Sequence, residues 1–379
     1  MEKGNQRLAY IDCMRGLACI LMFQWHCYDS WLGSVARLGR FYGWSALVTT
    51  LVAPSFLFLV GVSLALKIES LQRRGMIAGQ IVRTTVRRGA MILLAALAFR
   101  GQEFLLGLPA APWTDLLRVD VLNVIGVSIM LIGITCWVAR DRIGRGVAGT
   151  AVALGIAALS PLLWTSWRPR WLPWFLESYL NGVHTFTEPQ PWLFPIFPWT
   201  AFCFAGLATG AWLQGEWTRQ RRSLSMVLLA AGGIVMVALA LSLDALPIQI
   251  YRAYDFWHTS PNFFLVRIGI LLVILAACYL WSYFAANQWG FTKLVQLGQC
   301  SLLVYWVHTE FVYGRFSILP KGRASILTAS IGLLIITAAM VTLSVGRLWL
   351  RSHGAVILDW LKQSRRENWQ RRPKDVEIE

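Results

Sequence analysis

Asp12, Arg15, His26 and Asp29 lie within one apolar stretch near the start of the chain, Arg7-Leu-Ala-Tyr-Ile-Asp12-Cys-Met-Arg15-Gly-Leu-Ala-Cys-Ile-Leu-Met-Phe-Gln-Trp-His26-Cys-Tyr-Asp29. On a helix at about 100° per residue, all of them fall within an arc of roughly 100°. Asp12 and Asp29 are then roughly 25 Å apart, close to the thickness of a bilayer's hydrocarbon core. Ionisable groups at such a depth are costly and usually mark a pathway or a reacting site. Asp12 and Arg15, at i,i+3, can pair with each other. Alternatively, Arg15 meets an anionic ligand. Asp29 follows His26 by three positions and can orient its imidazole, and a neutral imidazole is the usual general base near pH 7. The bland alternative for His26 is an interfacial residue bonded to lipid headgroups.

A second polar stripe occurs in Leu297-Gly298-Gln-Cys-Ser301-Leu-Leu-Val-Tyr305-Trp-Val-His308-Thr-Glu310-Phe-Val-Tyr313-Gly-Arg315. Helical projection places Ser301, Tyr305, His308 and Arg315 on one face, within roughly 80°, and Glu310 on another. The two stripes can face each other around a common cavity, or Tyr305 and His308 can simply satisfy one another. Arg83, Arg87 and Arg88 form a third cluster, explained either as an orientation signal or as a phosphate site, for example for coenzyme A. No P-loop, nucleophile elbow or zinc-protease motif is present. The seven cysteines lie mostly in or beside apolar segments without CxxC spacing, so they are expected to be packing residues and no metal site is expected.

These residues need helices that cross a membrane. The chain has 379 residues, 56% hydrophobic and 14% charged, which excludes a soluble enzyme and a disordered chain. The expected fold class is all-α, a polytopic helical bundle of about ten spans. They lie near 9–29, 46–66, 89–107, 119–138, 146–164, 193–214, 224–243, 263–285, 298–316 and 325–346. Lys and Arg concentrate in 67–88, 139–145, 215–223 and from 347 onward, which puts both termini in the cytoplasm. This placement explains the net charge of +16 without nucleic acid. His26, His184, His258 and His308 then fall on or near the opposite, outer side. Residues 1–346 read as one membrane domain and 347–379 as a basic tail with a short amphipathic helix near Val356–Trp369. Gly206-Leu-Ala-Thr-Gly210 allows two helices to pack closely.

Three motifs in order resemble the transmembrane acyltransferases: Arg-Leu-x-x-Ile-Asp12-x-x-Arg15-Gly16-Leu, Pro54-Ser-Phe-Leu-Phe-Leu-Val-Gly61-Val-Ser, and Leu297-Gly-x-x-Ser301-Leu-Leu-Val-Tyr305-Trp-Val-His308. The nearest branch is the heparan-α-glucosaminide N-acetyltransferase-like family. The resemblance implies transfer of an acetyl group from cytosolic acetyl-CoA to the amine or hydroxyl of a sugar or glycan on the outer side. It also implies a multi-pass protein, here expected in a bacterial cytoplasmic membrane, and is compatible with a homodimer or a larger assembly. The lysosomal members carry an Asn at the position of His26, an active His in the loop where this chain has Arg40, Phe41 and Tyr42, and an Asp where it has Thr49 and Thr50. The wider superfamily places a His at the outer end of the first span, which favours His26 as the base.

The expected site therefore has His26, Asp29 and His308 as catalytic residues. Asp12, Arg15, Arg83, Arg87 and Arg88 are expected to hold the donor, and Ser301, Tyr305 and Arg315 the acceptor. Two other functions use the same features: a transporter or flippase moving a substrate along the stripe, and a non-catalytic subunit of a membrane complex.

Overall fold

The computed structural model describes residues 8–165, 167, 169–182, 194–247, 250–251, 255–285 and 288–370, without the side chains of 174 and 355–370. His184 lies outside the described residues. The chain opens with α1 (Ala9–Trp31), the short α2 (Ser34–Arg37), α3 (Arg40–Thr49), α4 (Val52–Arg73) and α5 (Ala78–Gly107). A 3-10 turn at Trp113–Leu117 leads to α6 (Val121–Val138) and α7 (Arg142–Thr165). The short α8 (Trp174–Asn181) precedes α9 (Ile196–Leu213), α10 (Glu216–Gln220), α11 (Arg222–Asp244) and α12 (Pro261–Ala285). The chain ends with α13 (Trp289–Gln299), α14 (Ser301–Val312) and the 45-residue α15 (Ile326–Gln370). Among the described residues there is no sheet, only an isolated bridge between Leu32 and Ala324.

Eight helical stretches are long and apolar enough to cross a membrane, and they contain α4, α5, α6, α7, α9, α11, α12 and α15. The other expected spans depart from that pattern for physical reasons. α1 has the length, at 23 residues, but carries the charged stripe. The segment expected at 298–316 is two short helices, 11 and 12 residues long, meeting at Cys300, whose backbone leaves the helical region at φ −105° and ψ 13°.

Two expected loops turn out to be largely helical. Between 67 and 88 the chain leaves helix only near 74–77, so Lys67 and Arg73 ride on α4 and Arg83, Arg87 and Arg88 on α5. These helices outrun the hydrocarbon core, since 30 residues of α5 span roughly 45 Å. Arg145, expected in a loop, sits 2% exposed in α7 and reaches Glu69 of α4 at 3.0 Å. Asp141 begins that helix by accepting the backbone N–H groups of Ile143 and Gly144, which hold its carboxyl below the usual carboxylate range. The expected boundary at 347 falls inside α15, which runs through it unbroken.

The bundle is organised around α1, which buries more than half its residues and packs against α3, α4, α12, α13, α14 and α15. Glycine makes the closest of these approaches possible. A Cβ on Gly16 would stand 2.1 Å from the Leu294 carbonyl oxygen, and one on Gly298 would stand 1.9 Å from that of Asp12. α1 and α13 are thus in backbone contact, and α14 inherits its position from α13. The GxxxG motif does the same for α9: Gly206 meets the Phe58 carbonyl of α4, and Gly210 meets Val62 and Ala65. α5 pairs with α6 and α11 with α12 around this centre.

Candidate active site

The polar stripe of α1 resolves into two clusters. The first ties three helices together. Arg15 donates from Nη1 to Asp12 Oδ1 at 2.6 Å and from Nη2 to Ser63 Oγ of α4 at 2.9 Å. Gln299 Nε2, at the end of α13, donates to Asp12 Oδ2 at 3.2 Å. Asp12 and Arg15 are bonded to each other, as the bland expectation has it, and both also line a cavity of about 1060 Å³.

The cavity has two chemically different parts. Arg15, Lys67, Arg73, Arg74, Arg88, Arg219 and Arg222 line it as cations, against Asp12 and Glu69 as acids. An apolar wall runs past Met22, Val60, Ile92, Ile125 and Ile129 to Tyr305. Of the three arginines at the start of α5, only Arg88 reaches the lining. Arg83 and Arg87 are exposed and absent from it, because a helix cannot turn all of i, i+4 and i+5 toward one space.

The second cluster is a histidine pair. His26 Nδ1 lies 2.7 Å from His308 Nε2, and the rings are nearly coplanar at 4°. His308 is fully buried, with its Nδ1 2.6 Å from the Val304 carbonyl oxygen. A carbonyl can only accept, so this contact places the His308 proton on Nδ1 and leaves Nε2 as an acceptor. His26 must then donate from Nδ1, and its Nε2 keeps the free lone pair. A backbone oxygen four residues back on α14 thus fixes the tautomer of a histidine on α1. Phe23 packs on the His308 ring at 4.8 Å, and Tyr305 meets it edge-on at 6.0 Å.

Asp29 does not orient His26. Its Oδ2 accepts the Tyr313 hydroxyl at 2.7 Å, and Tyr313 in turn packs edge-on against His26 at 5.2 Å. The i+3 spacing put Asp29 on the right face but pointed it at α14's end rather than at the imidazole. Arg37 donates to the carbonyls of Asp29 and Leu32. Lys321 donates to the carbonyl of Tyr313. Both cations therefore cap the carbonyl ends of the two histidine helices.

The other expected residues divide similarly. Ser301 lines the cavity, and Tyr305 stands at its far limit with Phe99 against it at 5.6 Å. Arg315 lies exposed in the turn after α14, past the helix end at Val312, so projecting it onto the helix face fails. His258 pairs with Asp255 at 2.6 Å on the surface, away from the dyad's partners.

Several residues were not visible as site residues in the sequence. Val304 presents only a backbone oxygen, and Ser63 and Gln299 are ordinary polar residues until three helices meet. The Arg118 guanidinium, just before α6, is close enough to act electrostatically on His26, Tyr305 and Tyr313. The one available signal was its spacing from Asp120, which closes a capping box with Asn123 at the start of α6.

Among the described residues no group of His, Cys, Asp and Glu has the makings of a metal site. No curated protein matches the chain. The family model described as heparan-alpha-glucosaminide N-acetyltransferase, catalytic, matches residues 7–250, from the start of α1 to beyond α11. The dyad thus pairs a histidine inside the matched region with one beyond it. With that match over well over half of its length and its bundle of membrane-length helices, the chain belongs to the family of the heparan-alpha-glucosaminide N-acetyltransferase catalytic domain, a family of membrane acetyltransferases.

Proposed function

We propose that the protein transfers an acetyl group from acetyl-CoA, held in the cationic cavity on the cytoplasmic side, to an amine or hydroxyl of a sugar presented at the opposite end of α1. The observation that carries this is the His26–His308 dyad, whose hydrogen bonds leave a basic nitrogen on His26 Nε2.

The cavity's donor set fits a thioester of coenzyme A. Arg73, Arg74, Arg88, Arg219 and Arg222 suit phosphate groups, and the apolar wall from Val60 to Ile129 suits an uncharged arm. Bound there, acetyl-CoA supplies an acyl group activated as a thioester. His26 Nε2 takes a proton from the attacking amine or hydroxyl, and His308 holds the imidazole in the tautomer that can do so. Arg118 lies within electrostatic reach of His26 and favours negative charge where it develops. Asp12, bonded to Arg15 and Gln299, fixes the cavity wall at the junction of α1, α4 and α13.

Detergent-purified protein, labelled acetyl-CoA and a panel of amino sugars and glycans test the assignment. Wild type should acetylate at least one acceptor, and His26→Ala should not. Equal transfer by both proteins, or none by wild type, overturns it. Donor consumption with the acceptor also separates this activity from transport along the same residues, which would move substrate without cleaving acetyl-CoA.

A further inference from the structure

His308 faces from α14 toward α1, and the opposite face of the same helical turn is gripped by one side chain of α5. Trp306 donates its indole N–H to Gln102 Oε1 at 3.0 Å. An indole nitrogen can only donate, so this bond fixes which way round the Gln102 amide lies, and its Nε2 donates to Glu310 Oε1. On a helix at about 100° per residue, Trp306 and Glu310 lie roughly 40° apart, and His308, midway between them, points roughly 180° from their mean direction. A single amide therefore spans the back of the turn whose front carries the histidine.

α14 packs closely against α1, α13 and α15, whereas its link to α5 is made by side chains. Phe99 precedes Gln102 by three positions on the same face of α5, and it meets the Tyr305 ring at 5.6 Å and the Trp306 ring at 5.1 Å. Among the described residues, Gln102 makes every hydrogen bond between α5 and α14. Glu310 is 9% exposed and takes its donor from Gln102, since its other oxygen, Oε2, receives none. α14 needs such a hold. It is 12 residues long, starts at the break at Cys300 and stops at Val312. The dyad tolerates little drift: His26 Nδ1 and His308 Nε2 are 2.7 Å apart, and a shift of about 1 Å takes them out of hydrogen-bond range.

We propose that Gln102 is a positioning residue for the dyad, holding α14 from behind at Trp306 and Glu310 so that His308 meets His26. The task needs an acceptor for the indole and a donor for the carboxylate, and an amide supplies both. Leucine supplies neither. Glutamate keeps the acceptor but sets a second carboxylate against Glu310. Gln102 is absent from the lining of the donor cavity and acts only through His308. Exchanging the two groups, in Gln102→Glu/Glu310→Gln, restores both bonds: the new carboxylate accepts from Trp306 and from the new amide.

The effect on transfer rests on the acetyltransferase assignment, but the hold on His308 does not, so the two are read separately. Imidazole nitrogen resonances of full-length protein labelled with 15N-histidine report the His26–His308 bond directly. His26→Ala removes that bond and so identifies the resonance of an unbonded His308 Nε2. Gln102→Leu and Gln102→Glu should both move the wild-type signal toward that position, and Gln102→Glu/Glu310→Gln should bring it back. An unmoved signal in both single variants, or no return in the double variant, overturns the positioning of His308.

In the transfer assay Gln102→Leu should lower kcat about tenfold, the order of loss expected when a group beside the reaction is misplaced. KM for acetyl-CoA should stay as it is, and Gln102→Glu/Glu310→Gln should recover most of the rate lost in Gln102→Glu. In a His308→Ala background, Gln102→Leu should cost nothing further, because residues that act through one another are not additive. A full additional loss there, or a loss expressed in KM alone, overturns the proposal. If wild type transfers nothing, the acetyltransferase assignment fails, and the imidazole resonances still decide whether Gln102 positions the dyad.

Discussion

The backbone carbonyl oxygen of Val304 lies 2.6 Å from Nδ1 of His308, and this contact sets the protonation pattern of a residue on a different helix. His308 can only accept at Nε2, so His26 donates from Nδ1 and is basic at Nε2. His26→Ala should therefore lower kcat by at least about 100-fold, the usual worth of a general base. His308→Ala should cost about 10- to 100-fold, with part of the loss restored in His308→Gln, whose amide oxygen can accept from His26. Initial rates with labelled acetyl-CoA check the order of the three.

Asp29 receives the Tyr313 hydroxyl and leaves His26 to His308. Asp29→Asn keeps an acceptor for that hydroxyl. It should change kcat by less than about threefold, far less than His308→Ala. A loss from Asp29→Asn as large as that from His308→Ala would show that the carboxylate acts on the imidazole after all.

Arg88 lines the cavity, whereas Arg83, one turn earlier on α5, does not. Arg88→Ala should raise KM for acetyl-CoA about tenfold with kcat little changed, the mark of an interaction used equally in ground and transition states. Arg83→Ala should leave both constants as they are. The Arg88 effect should shrink at high salt, because partly exposed phosphate contacts are screened. Steady-state kinetics at two ionic strengths check it.

Gly298 packs on the Asp12 carbonyl with no room for a methyl group. Gly298→Ala should destabilise the protein by about 1–3 kcal/mol, the usual cost of overpacking. Gly43→Ala, at an open position, should be nearly neutral. Fluorescence-detected thermal unfolding in detergent compares the two.

The helical bundle and the two histidine stripes were legible because membrane-length apolar runs and helical periodicity are local properties. The pairing of His26 with His308 was not, since 282 residues separate them and the packing of α1 against α13 and α14 brings them together. Local spacing offered Asp29 as the partner of His26. In the fold that carboxylate accepts the Tyr313 hydroxyl at the end of α14 instead. Arg315 was misplaced for a related reason: periodicity does not announce that α14 stops at Val312. Arg83, Arg87 and Arg88 were read as a unit, but the cavity opens toward one of them. Arg118 carried almost no signal, because its importance comes from the fold around a short connection rather than from its neighbours in sequence.

The spacing between the two clusters on α1 has a consequence for the donor. From Asp12 to His26 the helix advances roughly 21 Å. Along that interval α1 buries Ala18, Cys19, Met22 and Phe23, and of these only Met22 reaches the cavity lining. Beyond Met22 the cavity lining stops short of the dyad, where Phe23 packs on the His308 ring. Under the proposed transfer, the thioester arm itself must therefore reach past this apolar turn, so that the acyl group leaves coenzyme A only where the acceptor amine or hydroxyl beside His26 takes it.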